Sequence, residues 1–293
     1  MANLDLTGTG VAIVTPFKKS GSIDFDALKK LVNHLIQGKV EYLVVMGTTG
    51  ESATLSKEEK QKVIECVVTE NKKRVPLVLG VGGNNTAEIT KLIAKVDTKA
   101  FSAILSVSPY YNKPSQEGIY QHYKAISKAS KLPIILYNVP GRTSSNITSD
   151  TTLRLAKDFK NIIAVKEASG SVEQMMRIIN HRPKDFLVIS GDDNLTLPMI
   201  AAGGDGVISV AANAFPKDFS DMVRAALEDD MAKARKLHYK LMDVTDQLFA
   251  DGNPGGIKYA LSLLKICSTY VRLPLVEPNE NVKQKLKELL KKN

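Results

Sequence analysis

The 293 residues are 43% hydrophobic and 24% charged, which suits a globular chain with a sizeable core and argues against disorder. No run approaches the roughly 18 apolar residues of a membrane span, and the opening "MANLDLTGTG" lacks the basic start and apolar stretch of a secretory signal. The net charge of +9 comes without aromatic residues interleaved among basic ones, so neither nucleic acid nor membrane is expected as a partner.

In chain order, short Val- and Ile-rich runs predict strands at 11–14, 42–46, 76–81, 103–107, 133–137, 162–166, 186–190 and 206–210. Each run is nearly continuous in hydrophobicity rather than alternating, as in parallel strands covered by helices. Ser56 with Glu59 makes a capping box ahead of Val63, Ile64, Val67 and Val68, and Ser171 with Gln174 repeats the signature ahead of Met175, Ile178 and Ile179. Eight strands separated by crossovers predict an α/β fold, a closed (β/α)8 TIM barrel. After residue 216 the pattern is helical only, which divides the chain into a barrel over 1–216 and an appended C-terminal helical segment over 217–293. In its last stretch Val282, Leu286, Leu289 and Leu290 fall at helical spacing, which leaves the lysines on a solvated face. Cys66 and Cys267 lie far apart with no metal-type spacing, and this predicts a reduced, cytoplasmic protein.

In such a barrel the loops after the strands carry the chemistry. Polar or Gly-rich clusters follow the predicted strands: "GTTGES" (47–52), "SPYYNKPSQEG" (108–118), "YNVPGRT" (137–143), "KEASG" (166–170), "SGDD" (190–193) and "ISVAAN" (208–213). Lys166 ends the run "NIIAVK". An ammonium in an apolar setting favours its neutral form, which can attack a ketone and hold it as an imine; the alternative is a structural lysine paired with Glu167. Tyr137 ends "PIILY", where a phenol shuttles protons or simply packs. In "GTTGES" the glycines let backbone approach an anion beside the hydroxyls of Thr48 and Thr49, although an ordinary βα turn reads the same way. Arg142 offers a planar fork for a carboxylate, or else a surface ion pair. Tyr110 and Tyr111, adjacent in a loop, suggest an interface or a substrate wall. The four histidines (His34, His122, His181, His238) fall in predicted helices without ligand spacing, so no metal is expected.

Taken together, "GTTGES", "PYYNKPSQEG", "YNVPGRT", "IIAVKEASG", "SGDD" and "GVISV" resemble the pyruvate-dependent Schiff-base aldolase family, to which N-acetylneuraminate lyase belongs, over residue 8 to the C-terminus. The resemblance implies that Lys166 forms an imine with pyruvate and that Tyr137 donates and accepts protons. Tyr137 would stand in a hydroxyl relay with Thr48 and with Tyr111 from a neighbouring subunit. It also implies that Thr49 binds the pyruvate carboxylate, that Arg142 binds the carboxylate of a second substrate, L-aspartate 4-semialdehyde, and that Gly191 and Ile208 line the pocket. The implied reaction is the condensation that commits carbon to lysine and diaminopimelate biosynthesis, with no cofactor, in a homotetramer built as a dimer of dimers. An arginine at Arg142 favours this over the alternative, a lyase acting on sialic acid or a keto-deoxy sugar acid. The +9 balance leaves a third reading, a non-catalytic regulator that binds DNA.

Two departures stand out. "DGNPGGIKYA" lacks the second proline that the family more often has before its lysine, and only a local loop difference is expected from it. Family members inhibited by lysine bind it through residues matching Ser52, Ala53, Asn84, Glu88 and Tyr110, but they commonly carry histidines where this chain has Lys57 and Lys60. Extra cations beside a cationic ligand repel it, so feedback by lysine is expected to be weak or absent.

Overall fold

The computed structural model describes residues 6–292; part of the opening stretch read for a secretory signal, and Asn293 of the C-terminal tail, lie outside that range. Eight parallel strands close into a barrel in sequence order: β1 (Gly8–Ala12), β2 (Tyr42–Val45), β3 (Leu77–Val81), β4 (Ala103–Val107), β5 (Ile134–Asn138), β6 (Ile162–Glu167), β7 (Leu187–Ser190) and β8 (Gly206–Ser209). Around it run α1 (Phe25–Gln37), α2 (Lys57–Asn71), α3 (Thr86–Ile93), α4 (Gln116–Ala129), the short α5 (Pro140–Thr143), α6 (Ser149–Asp158), α7 (Val172–His181), α8 (Thr196–Ala201) and α9 (Pro216–Leu227). Three more helices follow: α10 (Met231–Phe249), α11 (Gly255–Leu263) and α12 (Glu280–Lys292). No helix among the described residues is long and apolar enough to cross a membrane.

Seven strands match the expected runs to within one residue at either end, because an apolar run covered on both faces is what such a strand requires. The first strand differs, starting at Gly8 rather than at residue 11 and ending at Ala12. Its first half, Gly8-Thr9-Gly10, carries no apolar signal: the Tyr42 ring of β2 fills the space beside Gly10 and the Glu41 side chain the space beside Gly8. A Cβ on Gly10 would lie 2.1 Å from the ring. Of the two residues expected to end the strand, Ile13 still donates its N–H to the Val44 carbonyl, and the Val14 N–H turns to the Asn213 side chain instead.

Inside the barrel Tyr42, Val44, Val78, Ala103, Leu105, Ile135, Ala164, Ile189 and Ile208 pack into one core, so the barrel is filled and not a pore. A second core lies between strands and helices. Ser56 and Glu59 form both halves of the capping box. At Ser171 only one half forms: the Ser171 hydroxyl accepts from the Gln174 N–H, while the Gln174 amide turns inward to Glu167, Asn146 and Ile147.

The helix α9 packs against α1, α8, β1 and β8, within the ring of barrel helices, as well as against α10. We therefore propose that the appended segment begins at α10 rather than at residue 217, which lies inside α9. On α12, Val282 and Leu286 are buried while Lys285, Lys287 and Lys291 are exposed.

Candidate active site

Lys166 and Tyr137 are the penultimate residues of β6 and β5, and the two are register partners. Residues at equivalent register on neighbouring parallel strands share a face. Ile135 and Ala164, two positions earlier on each strand, point into the barrel, so Tyr137 and Lys166 do so as well, one layer nearer the mouth. The Lys166 ammonium lies 4.4 Å from the centroid of the Tyr137 ring. Only 5% of Lys166 and 7% of Tyr137 is exposed, and among the described residues no carboxylate lies within ion-pair distance of the ammonium. The wall beside the lysine is Gly191: a Cβ there would come within 3.0 Å of Lys166 Cε and 2.5 Å of the Ala168 Cβ. Ile208 belongs to the same interior cluster as Tyr137.

The alternative of a Lys166–Glu167 pair fails on strand geometry, since consecutive side chains take opposite faces. Glu167 is fully buried on the outer face, where it accepts from Asn138 Nδ2 (3.0 Å to each oxygen), the Ser169 N–H (2.8 Å) and Gln174 Nε2 (3.0 Å). Burial pushes its carboxyl up from the ordinary range, and these hydrogen bonds oppose the shift.

Thr48 and Thr49 sit in a single 3₁₀ turn, Thr48 exposed and Thr49 buried. Arg142, in α5 directly after β5, is exposed. Tyr111 is 88% exposed at a φ of 68°, and no hydrogen bond or ring contact among the described residues joins it to Tyr137 within one chain. Of the residues matched to a lysine-binding site, Tyr110 and Asn84 meet through a 2.9 Å bond from the Tyr110 N–H to Asn84 Oδ1. Lys57 and Glu88 are exposed on α2 and α3, and Ser52 and Ala53 lie in the turn before α2.

With the geometry established, comparison with known proteins gives the family. The sequence profile of a family described as dihydrodipicolinate synthetase matches residues 5–293. The chain belongs to that family. It is 58% identical over 279 residues to the 4-hydroxy-tetrahydrodipicolinate synthase of Flavobacterium psychrophilum, covering 95% of each chain. Its fold matches the dihydrodipicolinate synthase of Thermotoga maritima with a TM-score of 0.95 at 39% identity, covering 98% of each chain. A solved structure described as the first monomeric dihydrodipicolinate synthase variant matches with a TM-score of 0.94 at 38% identity, covering 97% of this chain and 96% of that one.

Several polar residues at this family site escape a sequence reading. Asp193 of "SGDD" is buried, and its carboxylate accepts from the Val210 and Ala211 N–H groups at 3.1 and 2.9 Å, tying the loop after β7 to the loop after β8. Burial pushes the carboxyls of Asp192 and Asp193 up, and the nearby Lys166 charge opposes this in both. Asn213, fully buried, donates to the Ala12 and Val210 carbonyls, closing the barrel between its last and first strands. The "DGNPGG" segment and the start of α11 reach the turn after β2. Asn253 Nδ2 donates to Thr49 Oγ1 at 3.0 Å, and the fully buried Lys258 pairs with Glu51 of "GTTGES". The one available signal was a lysine within the apolar pattern "GGIKYALSLL", a position that demands a buried partner. His122 is buried with its Nδ1 2.8 Å from the Thr86 hydroxyl, and no group of three His, Cys, Asp or Glu among the described residues could hold a metal.

Proposed function

We propose that this chain condenses pyruvate with L-aspartate 4-semialdehyde to 4-hydroxy-tetrahydrodipicolinate, the product named for its relatives, through an imine on Lys166. One observation carries the assignment to that residue: a buried lysine at the mouth of a filled barrel, 4.4 Å from a tyrosine ring and without a carboxylate partner among the described residues. The Lys166 amine adds to C2 of pyruvate and water leaves. The imine draws electrons from the methyl group, Tyr137 takes a methyl proton, and the resulting enamine attacks the aldehyde carbon of the second substrate, whose oxygen takes that proton back from Tyr137. The semialdehyde's own amine then adds to the imine carbon, closing the ring and releasing Lys166.

In this reading Thr49 and its turn hold the pyruvate carboxylate, and Arg142 receives the carboxylate of the semialdehyde as a bidentate clamp. Gly191 and Ile208 shape the wall. Thr48 and Tyr111 of the partner subunit complete the proton relay with Tyr137. The 88% exposure of Tyr111 supports that contribution, which calls for at least a dimer and, in our reading, a dimer of dimers. The free, half-buried Cys66 and Cys267 accord with a cytoplasmic location, which belongs to the same proposal.

Incubation with pyruvate, borohydride trapping and peptide mapping test the core of the reading: the adduct is expected on Lys166, and an adduct elsewhere sinks it. Turnover of the semialdehyde against N-acetylneuraminate separates synthase from lyase. Lysine feedback is expected to be weak because Lys57 and Lys60 set cations where the ligand's own cations would sit. A lysine titration showing strong inhibition at sub-millimolar concentration contradicts that.

A further inference from the structure

The turn that carries Thr48 and Thr49 is held from the far end of the chain. Thr49 is 3% exposed, and its hydroxyl oxygen accepts from Nδ2 of Asn253, itself 6% exposed. A threonine hydroxyl has one hydrogen and two lone pairs, whereas an amide nitrogen only donates. With the amide donating to Oγ1, the hydroxyl's single hydrogen is left for an acceptor elsewhere. Two residues further on, Glu51 adopts a φ of 52°, a left-handed conformation that a non-glycine residue holds only where its surroundings impose it. Those surroundings belong to the appended segment. The Glu51 carboxylate, fully buried, accepts from Lys258 Nζ and, at 2.9 Å, from the Arg272 N–H. The Arg272 guanidinium donates to the Thr54 carbonyl at 3.0 Å and pairs with Glu59. Thr49, Glu51 and Thr54 thus each take a bond from beyond residue 250.

We propose that Asn253 is a positioning residue for the keto acid: it sets the Thr49 hydroxyl as a donor to the substrate carboxylate, in a turn whose shape the Lys258–Glu51 pair maintains. The inference rests on Thr49 binding the pyruvate carboxylate, and it extends that reading to a residue outside the barrel. An Asn253→Asp side chain would accept from Thr49 instead of donating, which withdraws the hydrogen from the substrate and adds a like charge beside it.

The test uses full-length enzyme, with KM measured for each substrate and pyruvate capture measured by borohydride trapping. Asn253→Asp is expected to raise the pyruvate KM about tenfold or more, and Asn253→Ala about threefold, while the semialdehyde KM stays unchanged. In a Thr49→Val background, adding Asn253→Ala is expected to have no further effect on pyruvate capture, because residues that act through one another are not additive. If Asn253→Asp does not fold, the alanine and valine variants carry the test. Three results overturn the proposal: wild-type pyruvate capture by Asn253→Asp, independent addition of the alanine and valine effects, or a parallel rise in both KM values. Each is distinguishable from failure of the parent reading, in which the wild-type enzyme itself would give no adduct on Lys166.

Discussion

Tyr137 and Lys166 on the inner face of β5 and β6 stand one residue away from Asn138 and Glu167 on the outer face, and the two pairs share the same register. The outer pair is saturated: the Glu167 carboxylate meets three donor groups, and the Asn138 side-chain Oδ1 accepts from the Ile147 N–H at 2.9 Å. In the inner pair the lysine has an aromatic face for its neighbour and, among the described residues, no carboxylate within ion-pair distance. A buried charge with its hydrogen bonds satisfied holds structure, whereas one left without them is available for chemistry. In the proposed reaction the same two strand ends do both jobs, the outer polar cluster fixing the positions from which the inner pair would react.

The comparison breaks most decisively at the lysine. Lys166→Ala is expected to abolish the pyruvate adduct and to lower kcat by on the order of 10⁴–10⁶, the scale seen when a nucleophile is removed. Tyr137→Phe is expected to cost about 10²–10⁴ as a lost proton donor and acceptor. Both should lower the melting temperature less than loss of Glu167 does, since neither side chain makes a hydrogen bond within the chain among the described residues. Steady-state kinetics beside thermal melts would show this, and a large loss of stability in Lys166→Ala would erase the distinction between the faces.

The opposite pattern is expected on the outer face. Glu167→Ala strands the Asn138, Ser169 and Gln174 donors, which should cost about 1–3 kcal/mol of stability in denaturant titrations. Its kcat per folded molecule should fall less than in either inner variant. The finest distinction is in pH. Because burial raises the folded-state pKa of Glu167, the unfolded chain releases this proton first, so its contribution to stability is present at low pH and declines as pH rises above about 4.5 towards the raised value. Glu167→Gln should flatten that stretch of the stability curve. If the decline persists unchanged in the variant, another group is responsible.

The parts of the fold most legible in sequence were the seven strands whose apolar runs are buried on both faces, together with the helix that Ser56 and Glu59 cap. β1 was displaced because its first half is shaped by side chains of and before the neighbouring strand, the Tyr42 ring beside Gly10 and Glu41 beside Gly8, a non-local fit that leaves no local apolar pattern. Gln174 looked like half of a capping box, yet its amide serves Glu167, because a buried carboxylate competes strongly for donors. At the site, Lys166 and Tyr137 were legible because each ends an apolar run, and strand ends face the mouth. Asp193, Asn213, Asn253 and Lys258 were not, since each acts on backbone or side chains that come near only after folding.

The sequence by itself therefore determined the parallel (β/α)8 rhythm, the open end of the barrel and the identity of the lysine and tyrosine there, all of which follow from local periodicity and from where apolar runs stop. Only the tertiary structure decided that Lys166 faces Tyr137, and that a segment beyond residue 250 holds the turn of Thr49. The first depends on the register between strands. The second depends on a contact spanning 204 positions along the chain, between Asn253 and Thr49, for which no local pattern exists.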